Sequence, residues 1–136
     1  MKTIDAAATT TASPDAVWAL LADASQWSRW GAWSKVEVEN GDEHGPGVVR
    51  VLVKTPYRLR ERVTEWVPGE RMSYELLEGM RVQGYHATVT LDEGAQGGTV
   101  VRWHSTYEQA GPLTTLVLRL AVRDACKRLA KAAAAG

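Results

Sequence analysis

The chain has 136 residues, the size of one domain, here 1–136, and a chain of this length buries roughly two-thirds of its unfolded surface without staples. Sixteen lysines and arginines balance sixteen aspartates and glutamates, so the basic excess that nucleic acid or an anionic membrane rewards is missing. The one cysteine, Cys126, excludes an intramolecular disulfide and a cysteine-based metal framework, and no apolar run reaches the ~18 residues of a membrane span or forms a signal core. A cytoplasmic protein is expected, with neither nucleic acid nor membrane insertion among its contacts.

Residues 2–11 alternate weakly and read as a strand. Ser13 suits a helix N-cap, with Pro14 at the first helical position and Asp15 complementing the helix dipole. Val17, Leu20 and Leu21 then fall on one helical face. Asp23 reads as the cap of a second short helix, with Gln26 three residues on as in a capping box and Trp27 and Trp30 on one face, until Gly31 ends it. Beyond Gly31 the apolar period changes from 3.6 to 2. Val36 and Val38 alternate with charged residues, and a turn-rich loop runs from Asn40 through Gly47. Val49, Val51 and Val53 alternate with Arg50 and Lys54 before Thr55-Pro56 breaks the run. Tyr57, Leu59 and Val63 alternate with Arg58, Arg60 and Arg62 up to Val67-Pro68-Gly69. Met72, Tyr74 and Leu76 share the next face, then Tyr85, Ala87, Val89 and Leu91, and last Val101, Trp103, Ser105 and Tyr107. Six strands joined by polar turns, each apolar on one side, predict an antiparallel meander that is wet on its other side.

The chain closes on a helix expected from Pro112 to Ala133. Leu118, Val122, Ala125, Cys126, Leu129 and Ala133 follow helical spacing along its whole length and should face the sheet. A second stripe, Leu113, Leu116, Val117 and Leu120, is confined to the first half. An ordinary surface helix needs one stripe, so the second predicts a neighbour: the mouth of a pocket with Leu113, Leu116 and Val117 at its edge, a lid, or a partner subunit. The oligomeric state is open between monomer and homodimer. The order β-α-α-β6-α, an α+β arrangement with a curved antiparallel sheet around one long C-terminal helix, tends to enclose a cavity.

The strand followed by Ser13-Pro14-Asp15-Ala16-Val17-Trp18-Ala19-Leu20-Leu21-Ala22-Asp23 and Trp27-Ser28-Arg29-Trp30 resembles the START-like superfamily, also called SRPBCC or Bet v 1-like, and more narrowly its polyketide cyclase/dehydrase branch. Arg62 to Tyr74, Gly98 to Trp103 and the closing helix extend the resemblance over essentially the whole chain. It implies a helix-grip fold and a cavity that accepts a small hydrophobic or aromatic molecule of polyketide or lipid type, with cyclisation or dehydration as the associated chemistry. A carrier or sensor without turnover, and a protein-interaction module like the chaperone-activating relatives, use the same scaffold.

With these strand phases the concave face bears Val49, Val51, Tyr57, Leu59, Glu61, Val63, Tyr74, Leu76, Tyr85, Trp103 and Tyr107 among others. Tyr57, Leu59, Tyr74, Tyr85, Trp103 and Tyr107 are the expected ligand contacts, the tyrosines offering hydroxyls within a mainly apolar wall. Glu61 is the odd member. In an apolar cavity, desolvation raises a carboxyl pKa and suits it to general acid or base work, whereas pairing with an arginine makes it structural. His86 and His104 fall on the wet face and His44 in the loop, so no convergent metal site is expected. Gly45-Pro46-Gly47 and Gly97-Gly98 lack the strand-to-helix setting of a phosphate loop, and no cofactor is expected.

Overall fold

The computed structural model describes residues 1–39 and 45–136. Strand β1 (Lys2–Thr10) leads into helix α1 (Pro14–Ala22), a 3-10 turn (Ala24–Gln26) and the single-turn helix α2 (Trp27–Trp30). Strands β2 (Lys35–Val38), β3 (Val49–Lys54), β4 (Tyr57–Val67), β5 (Arg71–Glu78), β6 (Val82–Gln83), β7 (His86–Glu93), β8 (Thr99–Tyr107) and β9 (Gln109–Ala110) follow, and helix α3 (Pro112–Ala135) closes the chain. Seven strands form one antiparallel sheet in the order β1-β8-β7-β5-β4-β3-β2, while β6 and β9 pair separately. The result is an α+β helix-grip fold, a curved sheet around a long C-terminal helix. The six strands expected after the helices are β2, β3, β4, β5, β7 and β8. The two-residue ladder of β6 and β9 is additional, too short to carry a readable period.

Local chemistry explains the entry to the fold. The Ser13 hydroxyl accepts from the Ala16 N–H at 3.2 Å, capping α1 one residue before Pro14. Asp23 caps the 3-10 turn through the Ser25 N–H at 3.0 Å. The capping box expected of Gln26 does not form: the 3-10 turn intervenes before α2, and the Gln26 side-chain oxygen accepts from Arg29 at 3.1 Å instead. Indole N–H groups tie α2 back to α1, Trp27 donating to the Leu21 carbonyl at 2.8 Å and Trp30 to the Leu20 carbonyl at 3.1 Å.

On α3, Leu118, Val122, Cys126, Leu129 and Ala133 are buried, joined by Ala130, and Ala125 is half-buried. The helix packs chiefly on β1, with further contacts to α1 and β8. Register shifts between β4 and β5, at Arg60/Glu61 and at Val63/Glu65, bend the sheet where it faces the first half of α3. Of the loop expected from Asn40 to Gly47, residues 40–44 lie outside the described residues, as does His44; Gly45 and Gly47 take positive φ angles of 93° and 89°, as a tight turn demands.

One strand has the opposite phase to that expected. Val49 and Val51 pair across β4 with Arg62 and Arg60, on the outer face, while Arg50 and Leu52 pair with Glu61 and Leu59, on the inner one. Both sides of β3 are buried from Val49 to Leu52, so its valines gave no sign of which way they point. On the outer face, long arginine stems at the cross-strand positions are able to lie over them. The remaining outer surface is laced with ion pairs, among them Arg62 with Glu75 and Arg102 with Asp92.

Candidate ligand cavity

The bent part of the sheet, α2 and the first half of α3 leave a cavity of about 240 Å³ between them. Its deep end is made by Trp27, Glu61, Tyr74, Tyr85 and Trp103, all buried. Its mouth lies between the end of β3 and start of β4 (Lys54, Tyr57), Trp33 beyond α2, Met80 after β5, and Val117, Ala121 and Asp124 on α3. The walls are mostly apolar, with a few polar groups at the closed end. That is the usual make-up of a small-molecule site.

Of the residues expected at the cavity, Tyr57, Leu59, Glu61, Tyr74, Tyr85 and Trp103 line it, and so does Val117. Tyr107 does not: it is buried at the end of β8, and its hydroxyl donates to Thr115 on α3 at 3.4 Å. Leu113 borders a more open groove that adjoins the mouth at Tyr57, Met80 and Val117, rather than the cavity itself. Leu116 lines neither and is half exposed, as is Leu120, because the helical twist carries these two away from the sheet while Val117 points at the mouth. Trp27, Trp30, Gly31, Ala32, Trp33, Leu76, Met80 and the α3 residues Leu118, Val122 and Ala125 line it too. Trp30, Leu118 and Val122 were legible as core, which is also what a cavity wall looks like in a sequence.

The polar end is a connected set. Arg50 Nη2 donates to Glu61 Oε1 at 3.1 Å, and both side chains are almost wholly shielded from solvent. The guanidinium lies 4.0 Å from the centre of the Trp27 ring and 5.2 Å from that of Tyr74, so cation–π attraction supports the buried cation. Arg50 Nε has no hydrogen-bond partner among the described residues. Trp103 Nε1 donates to the Tyr74 hydroxyl at 3.1 Å, and the hydroxyls of Tyr85 and Ser105 share a bond of 2.8 Å. Edge-on ring contacts of Trp27 with Tyr74 and Trp103, at 6.4 and 6.2 Å, hold these groups in place.

Burial raises the Glu61 carboxyl above its ordinary value, and the charge and hydrogen bond of Arg50 oppose that rise. An arginine therefore reaches Glu61, yet desolvation still sets the direction. Burial likewise pushes the Tyr74 hydroxyl well up, and the Tyr85 hydroxyl to about 12. Both tyrosines stay protonated near neutrality. Among the described residues no group of three or more histidines, cysteines or carboxylates is placed to hold a metal. His86 sits beside the Thr64 hydroxyl and His104 beside Asp5, both away from the cavity.

Fold and cavity together define a helix-grip protein with a mainly apolar internal pocket. The chain belongs to the polyketide cyclase / dehydrase and lipid transport family, which matches residues 1–135. Among solved structures, XoxI from Bacillus cereus superposes with a TM-score of 0.82 at 21% identity, covering 97% of this chain and 95% of that one. The Aha1 dimer from Colwellia psychrerythraea gives 0.81 at 14%, covering all of both chains, and Ara h 8.0201 gives 0.78 at 14%, covering 99% of each. At these identities the likeness is one of fold. A comparison with proteins of curated function found none that matches. Among the described residues no helix is long and apolar enough to cross a membrane.

Proposed function

We propose that the protein binds a small hydrophobic or aromatic molecule, of polyketide or lipid type, in the cavity between the sheet and α3. The observation that carries this reading is the cavity itself: about 240 Å³ walled by tryptophan, tyrosine and aliphatic side chains and open at one end. Apolar surface entering such a space leaves water at roughly 25 cal/mol per Å². The family description, which names lipid transport beside cyclase and dehydrase chemistry, supports the same class of ligand. Titration with the neutral fluorophore 1-aminoanthracene tests it. Saturable binding to the wild type is expected. Ala125→Trp, which fills the space from the α3 wall, should abolish binding while the protein keeps its fold by circular dichroism. Equal binding by both proteins would remove the cavity as the site.

Turnover is a second reading, favoured by Glu61, the carboxylate at the closed end. Glu61 meets Arg50 through Oε1 and lines the cavity, which supports a role as general base toward an acidic C–H of a ketone-bearing ligand. Deuterium exchange at the α-carbons of 2-tetralone, followed by NMR, should exceed the buffer rate with the wild type and not with Glu61→Gln. Exchange at the buffer rate with the wild type would leave binding alone.

A further inference from the structure

At the closed end of the cavity, hydrogen-bonding capacity is unevenly spent. The Tyr74 oxygen accepts from the Trp103 indole, and the hydroxyls of Tyr85 and Ser105 share one hydrogen bond. Glu61 spends only Oε1, on Arg50, and Oε2 has no hydrogen-bond partner among the described residues. Since Glu61 lines the cavity and Oε2 is not among its sealed, unsatisfied atoms, the open acceptor belongs to the ligand space. Arg50 is held on the other side of the carboxylate, against Trp27 and Tyr74, and supplies its counter-charge there.

We infer that the cavity selects a ligand bearing a neutral hydrogen-bond donor, a phenol or alcohol, which enters apolar body outward and hydroxyl first and donates to Glu61 Oε2. This rests on the cavity being the binding site and names what that site prefers. A carboxylate-headed ligand such as a fatty-acid anion meets an acceptor of its own charge at that end and is disfavoured. A ligand with only carbonyl oxygens makes no use of the acceptor on Glu61. A hydroxyl finds an acceptor bearing formal charge, whose hydrogen bonds are among the stronger ones.

The probes are naphthalene, 2-naphthol, 2-naphthoate and 2-acetylnaphthalene, four ligands with one ring system and different heads, titrated by intrinsic fluorescence or calorimetry. With the wild type, 2-naphthol is expected to bind about tenfold or more tighter than naphthalene, the effect of one hydrogen bond to a charged group, and 2-naphthoate more weakly than naphthalene. In Glu61→Gln the amide oxygen is the group able to accept from Arg50, which turns the amide N–H toward the cavity. The ranking should then invert, 2-acetylnaphthalene overtaking 2-naphthol. If Glu61→Gln does not fold, the wild-type series decides by itself. Equal affinity for naphthalene and 2-naphthol, or 2-naphthoate as the tightest ligand, overturns the preference while leaving the binding site intact. Failure of all four to bind overturns the cavity reading and the preference with it.

Discussion

Arg50 and Glu61 stand directly opposite one another on β3 and β4, both on the inner face of the sheet, and close an ion pair of 3.1 Å where almost no solvent reaches. Such a pair adds little stability over apolar side chains of similar volume, because each ion first loses its hydration, but breaking it strands the other charge. Arg50→Met should therefore destabilise the protein by about 3–5 kcal/mol, whereas the double change Arg50→Met with Glu61→Leu should recover most of that loss. Urea unfolding midpoints for the two variants and the wild type check this. A mild effect of Arg50→Met alone would mean that Glu61 is already protonated in the native state.

Tyr85 makes an alkaline prediction. Burial lifts its hydroxyl from 10.0 to about 12, so the folded protein holds this proton longer than the unfolded chain. Stability from this group is complete below pH 10 and falls as pH rises toward 12, where the unfolded chain alone has released the proton. The loss over that window is on the order of 2–3 kcal/mol. Unfolding measured at pH 9 and pH 12 should show that much more alkaline destabilisation in the wild type than in Tyr85→Phe; parallel profiles would refute it.

Two adjacent residues on α3 should behave differently. Val117 lines the cavity mouth, while Leu116 lines neither the cavity nor the groove beside it. Val117→Asp places a carboxylate at the entrance and should weaken 1-aminoanthracene binding by about tenfold or more. Leu116→Asp should leave it unchanged. The same titration reads both variants, and a loss with Leu116→Asp would extend the site along the outer stripe of α3.

Gly79, after β5, has a φ of +120°, and a Cβ there would come within 2.4 Å of the Arg58 carbonyl oxygen. Backbone atoms cannot step aside as a flexible side chain does. Gly79→Ala should lower stability by about 1–3 kcal/mol, seen as a shift of the thermal midpoint. An unshifted midpoint would show that the turn relaxes at this edge of the mouth.

The layout was readable because the helix cap at Ser13, the change of period after Gly31 and the long stripe on α3 each rest on local chemistry. Seven of the cavity residues followed from strand phase alone: Tyr57, Leu59, Glu61, Tyr74, Leu76, Tyr85 and Trp103. Arg50 was not readable from polarity, since a charged residue between valines looks solvent-facing. Counting outward from Thr55-Pro56 as a tight turn puts it opposite Glu61, and the observed register agrees. Tyr107 shows the limit of phase. Period 2 says which face a side chain takes but not how far along the strand the cavity reaches, and this one lies beyond it. Leu116 fails for the corresponding reason on a helix, where a second apolar stripe need not mean a second contact.

The pairing of β1 with β8, from Lys2 with Tyr107 to Thr10 with Thr99, has a consequence for how the molecule comes into being. The first strand of the chain must wait for one of the last, and α3, made later still, packs on that same pair. During synthesis the wall residues of β4, β5 and β7 emerge with nothing to cover them. Contacts so distant in sequence are slow to close, and an uncovered apolar surface invites association between chains in the interval. A substitution that weakens the β1–β8 seam would therefore lower the yield of folded protein before it touched the affinity of the finished site.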